Sequence, residues 1–304
     1  MTMHDDQVDV TAETVGELIR EQFPQWRGKE IRFLPSAGTV NAIFRVGDDL
    51  SARFPLRLTE PAEVLALLER EAEASAELAG VSPFPVPEPV ALGEPGAGYP
   101  MPWSVQTWLP GTVASDADAD AGLRGSDAFA RDLAVFIAAL RTAPTRGRVF
   151  SGGGRGGELT QHDGWIEKCF EESGDLLDVP RLREVWSELR ELGRTGADVM
   201  SHGDLIPGNV LVVSDRPSRL GGVLDTGGFA PADPALDLVG GWHLLDRGPR
   251  DVLRRELGCD DLTWERGKAW AFAQAMGLVW YYVESNPTMS TMGRRTLGRV
   301  LEST

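Results

Sequence analysis

Between Val81 and Pro102 the chain carries seven prolines, at positions 83, 85, 87, 89, 95, 100 and 102. Each proline fixes its own φ, removes an amide donor and pushes its predecessor out of the helical region, so this segment can form only extended stretches and turns. The patterns on its two sides differ. Before it, Val15, Leu18, Ile19 and Phe23 follow Thr11 at helical spacing. The short runs Ile31 to Leu34, Ala42 to Val46 and Leu50 to Phe54 are separated by Pro35-Ser36-Ala37-Gly38 and Gly47-Asp48-Asp49, which reads as an antiparallel meander. Ala62 to Leu78, opened by Pro61, has Leu65, Leu68, Ala72 and Ala76 along one helical face.

After the prolines, a β-like run from Trp103 to Leu109 closes on Pro110-Gly111. From Asp127 onward the patterns are helical: Ala128 to Leu140, Trp165 to Phe170, Pro180 to Leu192, Leu236 to Leu245, Asp251 to Leu257, Trp264 to Val283 and Arg294 to Leu301. Two β runs, Val210 to Val213 and Gly222 to Leu224, interrupt them. At 304 residues the chain exceeds one ordinary core. The expectation is an α+β protein of two lobes, 1–106 with a sheet and helix and 107–304 mainly helical.

Lys and Arg number 30 against 46 Asp and Glu, a net charge of −16. Such a field disfavours nucleic acid and anionic membrane as partners and concentrates a cationic small molecule, although acidity also serves solubility. Cys169 and Cys259 stand far apart with no metal-ligand spacing, as expected of free thiols in a reducing compartment. Asp5, Asp6 and Asp9 occupy the region where an export signal needs positive charge, and the apolar run Ala269 to Val283 is broken by Gln274 and Gly277. These features predict a cytoplasmic protein without a membrane partner, with monomer and dimer both open. The glycine-rich segment 151–157 lacks the Lys-Ser/Thr ending and preceding strand of a phosphate loop, so it reads as a flexible surface loop.

The chemistry sits in Ser201-His202-Gly203-Asp204-Leu205-Ile206-Pro207-Gly208-Asn209, the run Val210 to Val213, and Gly222-Val223-Leu224-Asp225-Thr226-Gly227. In kinase catalytic loops an Asp accepts the proton of the attacking hydroxyl, an Asn five residues on faces Mg²⁺, and a second Asp beyond a hairpin grips the same metal. Asp204, Asn209 and Asp225 occupy those places. Five residues of tight loop can aim one carboxylate at an acceptor while turning an amide oxygen toward a cation, and hard oxygen ligands are what Mg²⁺ requires. His202 reads as a brace for the loop, and Asp233 and Asp237 as caps and braces outside the catalytic set.

His-Gly-Asp at 202–204, in place of the protein kinases' His-Arg-Asp, resembles the aminoglycoside phosphotransferase family and its choline and macrolide kinase relatives. Gly38 to Leu50 resembles that family's nucleotide-positioning hairpin, Arg53-Phe54-Pro55 its third strand, Trp103 to Gly111 its hinge, and Asp233 to Leu238 the element after the metal aspartate. The resemblance implies a protein-kinase-like two-lobe fold with ATP or GTP held between the lobes and Mg²⁺ as cofactor. It further implies that the Ser36 to Asn41 turn, with Ser36, Thr39 and Asn41, approaches the phosphates, and that hinge backbone near Gln106 and Trp108 meets the nucleotide base. Arg53 stands where the family has a lysine that contacts the phosphates, and Glu71 is its best partner, with Glu69 and Glu73 as competitors. A guanidinium is a planar fork rather than a point charge, so this departure changes the contact geometry.

The acceptor is left to the helical lobe, where Asp163, Trp165, Trp242 and the stretch Trp280 to Glu284, including Tyr281, are candidates. Negative charge at Asp163 and Glu284 would suit an aminoglycoside-type acceptor. A macrolide, a choline-like metabolite or another amino alcohol is the alternative acceptor, and a non-catalytic kinase-like nucleotide-binding module is the alternative outside enzymes.

Overall fold

In the computed structural model Ala42, Phe44 and Val46 are buried while Asn41, Ile43 and Arg45 between them are half-buried. That alternation is the period of a strand with one face on a core. The structure describes residues 8–35, 41–213 and 218–303, apart from the side chains of 117 and 118. The chain divides into two compact units, residues 1–80 with 86–110 and residues 81–85 with 111–304.

The first unit contains α1 (Ala12–Gln22), β1 (Ile31–Leu34), β2 (Asn41–Val46), β3 (Leu50–Pro55), α2 (Pro61–Ala79), β4 (Pro89–Gly93) and β5 (Trp103–Thr107). The strands form one antiparallel sheet in the order β1-β2-β3-β5-β4. Thr11 starts α1 by accepting from the Thr14 amide at 3.2 Å, and Val15, Leu18 and Ile19 join Phe44, Phe54 and Trp103 in one cluster. Phe54 stacks on Trp103 at 4.8 Å and meets Tyr99 edge-on at 5.1 Å. Full burial of one such ring contributes about 1.5–3 kcal/mol. Gly93 makes this packing possible, since a Cβ there would fall 2.1 Å from the Trp103 indole.

The proline-rich segment thus supplies an edge strand, β4, which tolerates proline because only one side of an edge strand must pair. Past β5, the Thr107 amide donates to Glu88 O at 2.9 Å and the Trp108 amide to Asp49 O at 2.8 Å. These bonds tie residues 107 and 108 to the sheet, and the first unit runs on to Pro110.

The second unit contains β6 (Thr112–Val113), α3 (Ala117–Leu123), α4 (Asp127–Thr142), α5 (Asp163–Glu172), α6 (Val179–Leu189), β7 (Val199–Ser201), β8 (Val210–Val213), β9 (Arg219–Val223), β10 (Ala230–Ala232), α7 (Val239–Leu244), α8 (Arg247–Glu256), α9 (Asp261–Tyr281) and α10 (Pro287–Glu302). Strands β6, β8 and β9 form one small sheet, and β7 pairs with β10. Helix α9 is its spine: α5, α6, α7 and α10 pack on it, and every residue from Arg266 to Met276 is buried. Glycines allow the close approaches. A Cβ at Gly267 would lie 2.5 Å from Leu238 Cβ, and one at Gly293 of α10 would lie 2.9 Å from Ala275 O.

Helix α10 begins at Pro287 rather than at Arg294, where the apolar pattern places its start. Asn286 accepts from the Met289 amide at 3.3 Å, and Pro287 provides a preset first turn. Among the described residues no helix is long and apolar enough to cross a membrane. Cys169 and Cys259 are both free.

Candidate active site

Pairing of β7 with β10 brings the loop that follows Ser201 against the chain that follows Asp233. Asp237 holds this loop, accepting from the His202 amide at 3.0 Å and the Gly203 amide at 2.9 Å. Gly203 has φ +80°, a conformation that favours glycine and lets the chain turn sharply before Asp204. His202 is buried; its Nε2 bonds Leu224 O at 2.9 Å, and its Nδ1 accepts from the Asp204 amide at 3.3 Å. One imidazole therefore ties the residue before Asp225 to the residue that carries the putting-in-place of the loop, Asp204, as the brace expected of it.

Asp204 has donors on both carboxylate oxygens. Asn209 Nδ2 donates to Oδ2 at 2.9 Å and to the Asp204 carbonyl at 2.9 Å. Oδ1 accepts from Arg155 Nη2 at 2.7 Å and from Gln274 Nε2 at 2.6 Å. Arg155 belongs to the glycine-rich segment, which corrects the expectation of a flexible surface loop. Gly156 O accepts from the Asp233 amide at 2.8 Å, and Gly157 O accepts from Arg266 Nη2 at 2.9 Å. Arg266 and Asp233 form an ion pair in which both side chains are 0% exposed, and Trp270 Nε1 donates to Asp233 at 3.1 Å. The second half of the glycine-rich segment is thereby fixed to the buried interior of the unit.

Gln274 is itself held from behind. Its Oε1 accepts from His243 Nε2 at 3.2 Å, and His243 Nδ1 accepts from the Thr296 hydroxyl at 2.9 Å. Burial lowers the His243 pKa to about 3, so the imidazole is neutral and donates only through Nε2.

The hairpin of β8 and β9 returns the chain to Asp225, and the Leu224 amide donates to Asn209 O at 2.7 Å. Asp225 is exposed and left-handed, with φ 57° and ψ 56°. A residue other than glycine in that region is uncommon, and it aims the side chain away from the direction that a continuing strand would give it. With Nδ2 of Asn209 engaged by Asp204, the amide oxygen is the atom left to face a cation. An amide oxygen and a carboxylate from a neighbouring turn suit a hard divalent ion that takes its remaining ligands from phosphate and water. Among the described residues no group of three or more His, Cys, Asp or Glu could hold a metal ion by itself.

Asp204 and Gln274 open onto a cavity of about 550 Å³, within the range of small-molecule sites. Arg155 and His162 complete its polar wall; Trp165, Tyr281 and Tyr282 give aromatic surface, and Ile206, Leu278 and Met289 give aliphatic surface. Burial, followed by the nearby Arg155 charge, lowers the His162 pKa.

Of the acceptor candidates, Trp165, Tyr281 and Tyr282 lie in this wall, whereas Asp163, Trp242, Trp280, Val283 and Glu284 do not. Trp242 is only 1% exposed and packs on Trp264 at 4.7 Å, so it is core. Asp163 accepts from Trp186 Nε1 at 3.0 Å and from Arg190 Nε at 2.9 Å, and the Arg190 bond holds its pKa below the usual range. Glu284 is exposed beyond the end of α9. Three polar members, Arg155, His162 and Gln274, were missed by sequence reasoning. Arg155 stood inside a segment dismissed as a loop, while Gln274 could have been found as the lone amide within the apolar run Ala269 to Val283.

In the first unit, Arg53, Glu71 and Gln106 line one cavity of about 240 Å³ with Leu68, Ala72 and Ser75. Glu69 and Glu73 are exposed and outside it, so Glu71 is the glutamate of α2 that shares a cavity with Arg53. Trp108 lies outside this cavity with the Arg45 guanidinium 5.0 Å above its ring, and Asn41 opens β2. Ser36 and Thr39 lie outside the described residues.

Residues 31–270 match the model of the phosphotransferase enzyme family. No curated protein matches the chain by sequence. Among solved structures, the chain is similar to the GDP complex of aminoglycoside 2'-phosphotransferase-IIIa, with 20% identity over 97% of this chain and 100% of that one and a TM-score of 0.69. The macrolide 2'-phosphotransferase MphH from Brachybacterium faecium, as apoenzyme, has 21% identity over 94% of this chain and 97% of that one, with a TM-score of 0.61. The streptomycin-ATP-APH(2")-IIa ternary complex has 18% identity over 97% of each chain, with a TM-score of 0.58. The fold is thus the kinase-like fold of these enzymes.

Proposed function

The chain belongs to the phosphotransferase enzyme family, and from this we propose that it moves the γ-phosphoryl group of ATP or GTP onto a hydroxyl of a small molecule, with Asp204 as the base. The observation that carries the reading is that the Asp204 carboxylate forms part of a cavity wall while three side chains fix its orientation. An acceptor hydroxyl in that cavity would donate to the carboxylate, and positioning of this kind supplies much of the catalysis in phosphoryl transfer.

Asn209 and Asp225 would hold Mg²⁺, which when bound neutralises charge on the phosphate oxygens. In the first unit Arg53 would contact the phosphates with Glu71 orienting its guanidinium. Gln106 and Trp108 would flank the nucleotide base, and the turn carrying Ser36, Thr39 and Asn41 would approach the phosphates. Similar proteins solved with GDP or with ATP and streptomycin support a nucleoside triphosphate donor and a hydroxylated acceptor. Two free cysteines suit a reducing, cytoplasmic setting.

A coupled nucleotide-turnover screen over aminoglycosides, macrolides and amino alcohols, with Asp204→Asn as the blank, tests the reading. Acceptor-dependent turnover should vanish in the blank while Mg²⁺-nucleotide binding persists. Turnover that survives there removes Asp204 as base, and a wild-type chain that binds nucleotide but phosphorylates nothing would be the non-catalytic module.

A further inference from the structure

The cavity beside Asp204 has an unusual charge inventory for a chain with net charge −16. Among the described residues lining it, Asp204 is the one carboxylate, and it already accepts from Arg155, Gln274 and Asn209. Arg155 is the one permanent cation there and is paired with Asp204, while His162 is biased toward its neutral form by burial. The wall is therefore close to electroneutral. A polycation would have to leave each ammonium group without a counter-charge as it sheds water, which is costly. An anionic acceptor would meet the Asp204 carboxylate, with the one permanent cation of the wall already paired to it.

Net charge alone would favour a cation, and the two observations pull in opposite directions. The local one decides affinity, because fields from surface charges are screened within about 8–10 Å at ordinary salt.

The rest of the wall is apolar surface left open. Trp165 is 43% exposed and Tyr281 46% exposed, although both adjoin Leu278 and Met289 along the same cavity. Trp165 lies against α9 at Gly277, where a Cβ would fall 3.0 Å from its ring, so the glycine lets the indole lie close to the helix backbone. An ammonium cage is disfavoured as well. Trp280, which joins Trp165 and Tyr281 at 5.9 Å and 5.6 Å, already has the Lys168 ammonium 5.4 Å over its ring.

We propose that the acceptor is an uncharged, hydroxyl-bearing molecule with a broad apolar face, which lies on Trp165 and Tyr281 and turns its hydroxyl toward Asp204. This rests on the phosphotransferase reading given above. The test is calorimetric titration of the full chain, with Mg²⁺ and a non-hydrolysable ATP or GTP analogue present, using phenyl β-glucoside and octyl β-glucoside below its micellar concentration. Kanamycin and choline are the charged arms.

The uncharged probes should bind saturably by the low millimolar range, with affinity unchanged between low and high salt. Trp165→Ala and Tyr281→Ala should each weaken them about tenfold, and Trp165→Phe should recover most of the loss. Tighter binding of kanamycin or choline, uncharged probes that fail to bind, or affinities indifferent to both aromatic substitutions would each overturn the proposal. Failure of the phosphotransferase reading would appear separately, as no thermal stabilisation by Mg²⁺-ATP or Mg²⁺-GTP.

Discussion

The side-chain amide of Gln274 donates to Oδ1 of Asp204 at 2.6 Å, from a helix whose neighbouring residues are all buried. Its orientation is set by His243, whose neutral ring can offer only Nε2–H to the Gln274 oxygen. Replacement by leucine removes a donor from the Asp204 carboxylate and leaves His243 Nε2 without its acceptor. Gln274→Leu should lower kcat about tenfold or more with the nucleotide KM unchanged, and cost about 1–3 kcal/mol of stability. The near-isosteric Gln274→Glu, which sets carboxylate against carboxylate, should be the poorer catalyst of the two. Steady-state kinetics in both substrates checks this, and an unchanged kcat in both variants would remove Gln274 from the alignment of Asp204 as the proposed base.

Asp225 has a left-handed backbone that asparagine adopts more readily than most residues. Asp225→Asn should therefore leave thermal stability within about 0.5 kcal/mol of the parent. On the proposed role of Asp225, the Mg²⁺ concentration for half-maximal activity should nonetheless rise about tenfold, because the proposed ligand has lost its charge. Metal titrations of activity alongside thermal melts separate the two effects.

His243 makes stability depend on pH in a definite direction. Its pKa falls from an ordinary 6.5 to about 3 in the folded chain, so between those values the unfolded chain binds the extra proton. The contribution is complete above pH 6.5 and is lost as pH falls toward 3, with roughly 2 kcal/mol gone between pH 7 and 5. Urea unfolding at the two pH values should show this loss, and His243→Gln should show a correspondingly smaller one.

Arg266 and Asp233 are paired with no solvent on either side chain. Arg266→Met leaves Asp233 charged in the interior and Gly157 O without its donor. The expected cost is about 3–5 kcal/mol, with the site distorted because the segment bearing Arg155 loses its anchor. The double variant Arg266→Met with Asp233→Leu should recover part of that loss in denaturant unfolding.

The long elements were legible because their apolar residues recur at helical or strand spacing, as in α1, α4 and β2. The strands β6, β7 and β10 were not, since runs as short as Thr112–Val113 or Ala230–Ala232 have no period to read. The loop from His202 to Asn209 could be read because its chemistry is local in sequence. Arg155 and Gln274 reach Asp204 from positions far along the chain, and only the packing of α9 and the buried Arg266–Asp233 pair brings them there. Of the two acidic acceptor candidates, Asp163 is engaged by Arg190, which becomes its neighbour only after α5 and α6 pack, and Glu284 lies exposed beyond the end of α9.

Every residue of helix α9 from Arg266 to Met276 is buried, with only Ala273 and Gln274 bordering the cavity, so its backbone amides meet solvent only when the surrounding helices separate. Loosening confined to a loop or terminus cannot swing the Gln274 donor away. Heat should then produce a mixture of fully competent and wholly inactive molecules, with no slower intermediate form between them.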